Sequence, residues 1–135
     1  MRQGKNCTIW HPEKSVLLDC SIGDRCTIHA LVWIGNNVHI GDDCKVQGMS
    51  FIPEGVIIGN RVFIGPNVTF CNDKYPPSDE LLATIIEDDV SIGAGSVILP
   101  GITLEKGCRV GAGSVVTKNV RSGLVVAGVP AKELN

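Results

Sequence analysis

The sequence predicts an all-β solenoid, a triangular prism of short parallel strands with one inserted loop near residues 71–85. Three patterns in the 135 residues carry this prediction. Large apolar residues recur at every sixth position, a small or apolar residue stands two positions before nearly every one of them, and glycine often follows them. Because neither an α-helix nor an ordinary alternating strand has a period of six, we interpret each hexad as one short strand and one corner.

The first register of hexads builds the coils before the loop. Its members are Trp10, Val16, Ile22, Ile28, Ile34, Ile40, Val46, Ile52, Ile58, Ile64 and Phe70. Three hexads close one coil of about 18 residues, so residues one coil apart stack about 4.8 Å from each other. Trp10 would head the column that contains Ile28, and we expect its indole to close the N-terminal end of the prism.

The second register follows an insertion between Cys71 and Ile85. Its members are Ile86, Ile92, Ile98, Leu104, Val110 and Val116. A regular solenoid gains no stability by breaking its own period, so the insertion is a candidate functional loop.

Composition excludes several classes of partner. A net charge of −2 gives no electrostatic reason to expect nucleic acid or an anionic membrane. The chain lacks both the apolar run of a signal peptide and the roughly 20 apolar residues that span a bilayer. The six cysteines contain no CxxC pair, which favours reduced thiols. We expect one soluble, cytoplasmic domain over residues 1–135, and the ends at Met1 and Asn135 favour an independent chain over a module of a fusion.

The segment GAGSV occurs twice, at residues 93–97 and 111–115, one coil apart. Stacked copies would present the methyl groups of Ala94 and Ala112 beside exposed backbone N–H groups. An extended pantetheine arm could follow such a groove by hydrogen bonding to the backbone. Two tight turns without a ligand are the alternative.

The run IGAGSVILPGITLEKGCRVGAGSVVTKNV, followed by VVAGVPAKEL, resembles the tail of hexapeptide-repeat acyltransferases that use acyl-CoA. The resemblance covers nearly the whole chain and implies a left-handed parallel β-helix with acetyl-CoA as the acyl donor. It also implies a cofactor site that contains Ala94, Ala112, Lys118, Gly128, Pro130 and Ala131. The phosphates of CoA require cations, for which Lys118, Arg121 and Lys132 are the candidates, against the alternative of solvated surface charges.

The loop segment GPNVTFCNDKYPPSDE resembles the Thr-Asn-Asp-x-Tyr/Phe-Pro-Arg-Ser motif of N-acetyltransferases that act on nucleotide-linked 3-amino sugars. Asn72, Asp73, Tyr75 and Pro76 match the motif, which implies that they form part of the acceptor site. Many sugar O-acetyltransferases of this fold carry a histidine before the loop proline, where this chain has Tyr75. A neutral amine attacks a thioester through its own lone pair, so this replacement favours an amine acceptor on a nucleotide-linked sugar.

Further candidates for acceptor contacts lie before the loop. His11, His29, Gln47 and Gly65 would stack along one corner, where His29 is either an alternative base or a solvated residue. Relatives of this subgroup show Gln-Asn-Asn where this chain has Gln47, Gly48 and Met49, so Gln47 and Met49 would face the acceptor.

Trp33 and Phe51 would lie one coil apart on the outer surface. Burial between subunits is one explanation for this apolar pair, and stacking of Phe51 against a nucleotide base is the other. Together with the resemblance, the pair predicts a homotrimer whose active sites lie between subunits.

Three other functions compete with this interpretation. A sugar O-acetyltransferase of the same fold would need an imidazole base, and a non-catalytic β-helix would serve only in assembly. A γ-class carbonic anhydrase needs three imidazoles around zinc. The histidines of this chain do not converge in that way, so we expect no metal.

Overall fold

The computed structural model describes residues 1–134 as a β-solenoid of about seven turns, which fits a left-handed β-helix. Three parallel sheets form the faces of a triangular prism, and one short 3-10 helix, Pro12–Lys14, interrupts the first coil. In this part of the chain no helix is long and apolar enough to cross a membrane.

Six coils each contribute one short strand to every sheet, and the final hairpin adds two strands to the second sheet. The first sheet contains Arg2–Gln3, Ser21–Ile22, His39–Ile40, Ile57–Ile58, Ile85–Ile86 and Thr103–Leu104. The second contains Thr8–Ile9, Thr27–Ile28, Lys45–Val46, Phe63–Ile64, Ser91–Ile92, Arg109–Val110, Val125–Gly128 and Ala131–Glu133. The third contains Val16–Leu17, Trp33–Ile34, Phe51–Ile52, Thr69–Phe70, Val97–Ile98 and Val115–Val116. Only the final hairpin, Val125–Gly128 with Ala131–Glu133, is antiparallel among the described strands.

The core confirms the hexad pattern. The large residues of the repeat are buried from Ile28 to Leu104, and the small residues two positions earlier, such as Cys26 and Val38, are buried beside them. The predicted insertion is confirmed as well, because Ile57–Ile58 pairs directly with Ile85–Ile86 while residues 71–84 leave the coil.

Three corners join the sheets, and we name them by their content. The aspartate corner links the first sheet to the second through residues 23–26, 41–44, 59–62, 87–90 and 105–108. The alanine corner links the second sheet to the third through residues 29–32, 47–50, 65–68, 93–96 and 111–114. The loop corner links the third sheet to the first through residues 35–38, 53–56, 71–84, 99–102 and 117–119.

Where glycine follows a large residue of the repeat, contact between coils requires it. A Cβ on Gly23 would lie 2.4 Å from Oδ1 of Asp42 and 2.6 Å from a backbone carbon of Gly41. The left-handed backbone conformation falls two residues later, at positions such as Arg25, with a φ of 56°. The close stacking of coils, and not the turn itself, therefore requires glycine at this position.

The N-terminal register differs from the prediction. Ile9, not Trp10, pairs with Ile28, and Leu17, not Val16, pairs with Ile34. The 3-10 helix lengthens one corner of the first coil, and the next corner is one residue shorter, so a constant step of six misplaces both residues. The Trp10 side chain is 52% exposed and does not close the end of the prism.

Candidate active site

The two GAG copies form a smooth strip along the alanine corner. Ala94 and Ala112 are exposed, and the backbone of each coil lies against the next. A Cβ on Gly93 would lie 2.5 Å from the nitrogen of Ala112, and a Cβ on Gly65 would lie 2.7 Å from the nitrogen of Ala94. Only glycine fits at these two positions, and the strip stays narrow because its exposed side chains are methyl groups.

The strip presents free hydrogen-bond donors. Within residues 1–134, the backbone N–H groups of Ala94 and Ala112 have no hydrogen-bond acceptor. The following N–H groups are bonded, from Gly95 to the Pro66 carbonyl at 2.9 Å and from Gly113 to the Ala94 carbonyl at 2.8 Å. Exposed donors one coil apart can therefore bind an extended chain that carries carbonyl acceptors.

The predicted phosphate-binding cations are at the C-terminal end of the prism. Lys118 and Arg121 line a cavity of about 210 Å³ together with Ala131 and Glu133. The final hairpin docks on the last GAG copy, where the Gly128 N–H donates to Oγ of Ser114 at 3.2 Å.

The remaining hairpin candidates, Pro130 and Lys132, are exposed. Lys118 belongs to the loop corner, at the opposite edge of the third sheet from Ala112. The structure therefore divides the eight cofactor candidates between the alanine strip and the end of the prism.

The inserted loop is closed by a clasp between Asp73 and Ser78. Oδ2 of Asp73 accepts the Ser78 N–H at 2.7 Å, and Oδ1 accepts the Ser78 hydroxyl at 2.6 Å. The hydrogen bonds from Ser78 hold the pKa of the Asp73 carboxyl below its usual range. Asp73 is therefore ionised at neutral pH, and its oxygens keep free lone pairs for a further donor.

Asn72 and Tyr75 lie on different parts of this loop. Asn72 lines a cavity of about 270 Å³ with Glu54 and Leu82, and the backbone carbonyl of Asn72 accepts the Leu82 N–H at 2.8 Å. Tyr75 is 76% exposed near the tip, where the Lys74 Nζ lies 5.6 Å from the centroid of its ring. Pro76, which follows it, is joined to Pro77 by a cis peptide bond.

His29, Gln47 and Met49 lie on the alanine corner, several coils before the GAG copies. The column of His29 and Gln47 is headed by Trp10, whose N–H bonds to the Ile28 carbonyl, so the prediction that His11 heads it is wrong. Met49 is 60% exposed with a φ of 65°.

Trp33 and Phe51 lie on the sheet face between the two groups of acceptor candidates. Their ring centroids lie 6.3 Å apart on the outer face of the third sheet, and 42% and 38% of these residues are exposed. This face separates His29 and Gln47, at the alanine corner, from the loop that carries Asp73. Within one chain, the structure therefore does not bring His29 and Asp73 together.

Two family models match most of this repeat region. The model described as bacterial transferase hexapeptide (six repeats) matches residues 19–54 and 32–72, and the model described as hexapeptide repeat of succinyl-transferase matches residues 83–118. The chain belongs to the hexapeptide-repeat transferase family.

Two curated relatives are acetyltransferases with different acceptors. The galactoside O-acetyltransferase of Lactococcus lactis is 33% identical over 122 residues, which cover 81% of this chain and 59% of that protein. The 2,3,4,5-tetrahydropyridine-2,6-dicarboxylate N-acetyltransferase of Staphylococcus aureus is 47% identical over 74 residues, which cover 55% of this chain and 30% of that protein. The chain therefore spans less than two thirds of the length of either relative.

A solved structure shares the fold. It is a variant of AntD, an N-acyltransferase from Bacillus cereus, in complex with dTDP-4-amino-4,6-dideoxyglucose and coenzyme A. The match has a TM-score of 0.77 at 20% identity and covers 96% of this chain and 76% of that chain. At this identity the likeness supports the solenoid fold.

Proposed function

We propose that the chain is an acetyl-CoA-dependent acetyltransferase that N-acetylates an amino group on a nucleotide-linked sugar. It acts as one domain in the cytoplasm, where its six unpaired thiols stay reduced. Three copies form a homotrimer with active sites between subunits. The observation that carries the proposal is the alanine strip with its two free N–H groups. The two curated relatives are named acetyltransferases and the AntD structure contains coenzyme A, and the strip suits the pantetheine arm of such a donor.

The donor arm would lie along Ala94 and Ala112, with its amide carbonyls accepting the two backbone N–H groups. Lys118, Arg121 and Lys132 would then neutralise its phosphates near the end of the prism. Since Lys118 lies on the loop corner, the strip of one subunit and the loop corner of its neighbour form the two walls of the cleft.

The acceptor would enter from the loop side of that cleft. The described histidines, His11, His29 and His39, all lie outside residues 71–84, and Tyr75 occupies the place of the loop histidine. An amine suits this arrangement, since it needs to be neutral and positioned but does not need a base during attack. The ionised Asp73 accepts a hydrogen bond from the amine, and Asn72 orients it.

The reaction forms a C–N bond, breaks the thioester C–S bond and moves one proton from nitrogen to sulfur. The nitrogen lone pair attacks the thioester carbonyl carbon, the C–S bond breaks, and the amine proton leaves with the sulfur as free CoA thiol. The depressed pKa of Asp73 makes it a poor proton acceptor, so it acts by hydrogen bonding and charge.

Trp33 and Phe51 support the homotrimer. A monomer would leave this apolar pair wet on a flat sheet face, where a second copy would cover it. Light scattering should report three chains, and Trp33→Asp should shift the protein toward monomer and lower turnover, because each cleft needs two subunits. A fully active monomer would contradict the two-subunit site.

The test of the acceptor compares a dTDP- or UDP-linked 3-amino sugar with its 3-hydroxy counterpart. Release of free thiol from acetyl-CoA should be faster with the amine. Asp73→Ala and Asn72→Ala should lower turnover more than His29→Ala, which should keep measurable activity. Preference for the hydroxyl compound, or complete loss of activity in His29→Ala, would contradict the amine acceptor.

A sugar O-acetyltransferase is the second candidate, favoured by the 33% identity to the galactoside enzyme. It would use His29 as base, which the same paired assay detects. A non-catalytic assembly domain is the third, and calorimetry with acetyl-CoA separates it, since a purely structural prism does not bind the thioester.

A further inference from the structure

The N-terminal end of the first sheet carries a polar cavity that the proposed acetyl transfer does not use. Its volume is about 340 Å³, and it is lined by Arg2, Asp19, Cys20, Ser21, Asn37 and His39. This volume is at the lower end of the range for small-molecule sites, about 300–1,000 Å³. We propose that this cavity binds a phosphate group.

The register of the first sheet gathers the polar side chains of the cavity. Arg2 pairs with Ser21, and Ser21 pairs with His39, so three outward side chains follow one another at about 4.8 Å. The same outward column continues with Ile57 and Ile85, which are exposed and apolar. The cation, the hydroxyl and the imidazole are therefore confined to one end of the sheet.

Ser21 and His39 form a pair that keeps a donor available. Oγ of Ser21 lies 2.6 Å from Nδ1 of His39. If the hydroxyl donates to Nδ1, then Nε2 carries the proton and can donate outward; if Nδ1 donates to Oγ, the hydroxyl hydrogen is free. In either tautomer one donor remains for a ligand in the cavity.

The charge of the cavity suits an anion. Among residues 1–134, Arg2 has no salt-bridge partner, so its guanidinium can take two oxygens of a phosphate. The side-chain amide of Asn37 adds donors, and its backbone N–H fixes the turn by donating to the backbone carbonyl of Asp19 at 2.8 Å. Asp19 is the one acidic lining residue, and its side chain is 86% exposed, so solvent screens its repulsion.

Calorimetry of the full chain with inorganic phosphate and pyrophosphate tests the site. We expect saturable binding that weakens about tenfold or more in Arg2→Gln and in His39→Gln, as loss of a charge-assisted hydrogen bond would cause. Lys45→Gln removes an exposed strand cation from the neighbouring sheet and is the matched control, which should bind as the parent does. The His39 ring signals in NMR should shift with phosphate in the parent.

Competition identifies the source of the phosphate. Displacement of pyrophosphate by dTDP or UDP would support the site and assign it to a nucleotide, whereas displacement by CoA would assign it to the donor. If none of the three displaces it, the site binds free phosphate. Absence of saturable binding, equal affinity in Arg2→Gln, or acetate binding as tight as phosphate would overturn the inference, and none of these results bears on acetyl-CoA binding at the alanine strip.

Discussion

The aspartate corner and the alanine corner make the same turn and differ in what fills it. On the aspartate corner, a side-chain oxygen of one coil accepts a backbone N–H of the coil before it at 2.7–2.8 Å. The acceptors and their donors are Asp24 with the N–H of Lys5, Asp42 with that of Asp24, Asn60 with that of Asp42 and Asp88 with that of Asn60. The equivalent positions of the alanine corner are Ala30, Gly48, Pro66, Ala94 and Ala112, which carry no acceptor.

The next position of the turn shows the same contrast. The aspartate corner places Arg25, Asp43, Arg61 and Asp89 there in alternating charge, and Arg25 donates through two nitrogens to Asp43 at 2.8 and 3.1 Å. The alanine corner places Leu31 and Met49 there, both exposed and with φ near 65°. A corner that satisfies its own polar groups holds coils together, and one that leaves them free is available to a ligand.

The largest effect should come from filling the alanine strip. Ala112→Trp should lower acetyl-CoA affinity by about a hundredfold or more, because the indole would cover two donors and the groove beside them. Calorimetry measures this loss, and circular dichroism should show an unchanged β spectrum.

Lys106→Trp is the matched control for that change. Lys106 occupies the same place in the hexad on the aspartate corner of the same coil, so its substitution adds the same bulk away from the strip. Equal loss of affinity in both variants would mean that the donor does not lie along the alanine corner.

The sequence predicted the fold because its period of six is visible without the structure. The constant period of six misplaced the residues of the first coil, because two corners of that coil differ in length from the others. A signal was present, since the tripeptide Cys-Thr-Ile occurs at 7–9 and again at 26–28, and these are the residues that stack.

The candidate sites were less predictable, because they depend on which groups remain without partners. The GAG repeat indicates a smooth strip, but only the hydrogen-bond pattern shows that the Ala94 N–H is free. The loop motif places Asp73 in the acceptor site, but only the structure shows the two hydrogen bonds from Ser78 that lower its pKa and favour it as a hydrogen-bond acceptor. Ser21 and His39 stand 18 residues apart, so the repeat already places them one coil apart, as it does Trp33 and Phe51, but the hydrogen bond between their side chains is evident only in the structure.

Breaking one rung of the aspartate corner should lower stability without affecting the donor. Asn60→Ala leaves the half-buried Asp42 N–H without its acceptor, which costs about 1–2 kcal/mol of the free energy of unfolding. Urea unfolding measures it, and Asn60→Asp, which restores an acceptor, should recover most of the loss. A change in acetyl-CoA affinity with Asn60→Ala would argue against the separation of the two corners.

On the alanine corner, a substitution at a position with positive φ should raise stability rather than lower it. Met49→Asn should raise the free energy of unfolding by up to about 1 kcal/mol, because Asn adopts a positive φ more readily than Met. It should also slow turnover if Met49 faces the acceptor. The reverse exchange one coil away, Asn67→Met, should lower stability by a similar amount, and thermal unfolding of both variants checks the pair of signs.

The smallest effect concerns the charges of the aspartate corner and depends on pH. The side-chain hydrogen bond from Arg25 holds the pKa of the Asp43 carboxyl below its usual, unfolded value, so the folded state binds this proton less readily than the unfolded state. The stability that this pair contributes is therefore fully present above that unfolded value and is lost as pH falls through the lower folded pKa. Asp43→Asn should have a slightly lower melting temperature than the parent at pH 7, and the difference should disappear at the acidic end of the titration, where Asp43 is protonated in both states. Because both side chains are exposed, high salt should also shrink the difference at pH 7. A difference that grows as the pH falls would show that Asp43 stabilises the corner through its shape and neutral hydrogen bonds, and the alternating charges would then have no part in holding the coils together.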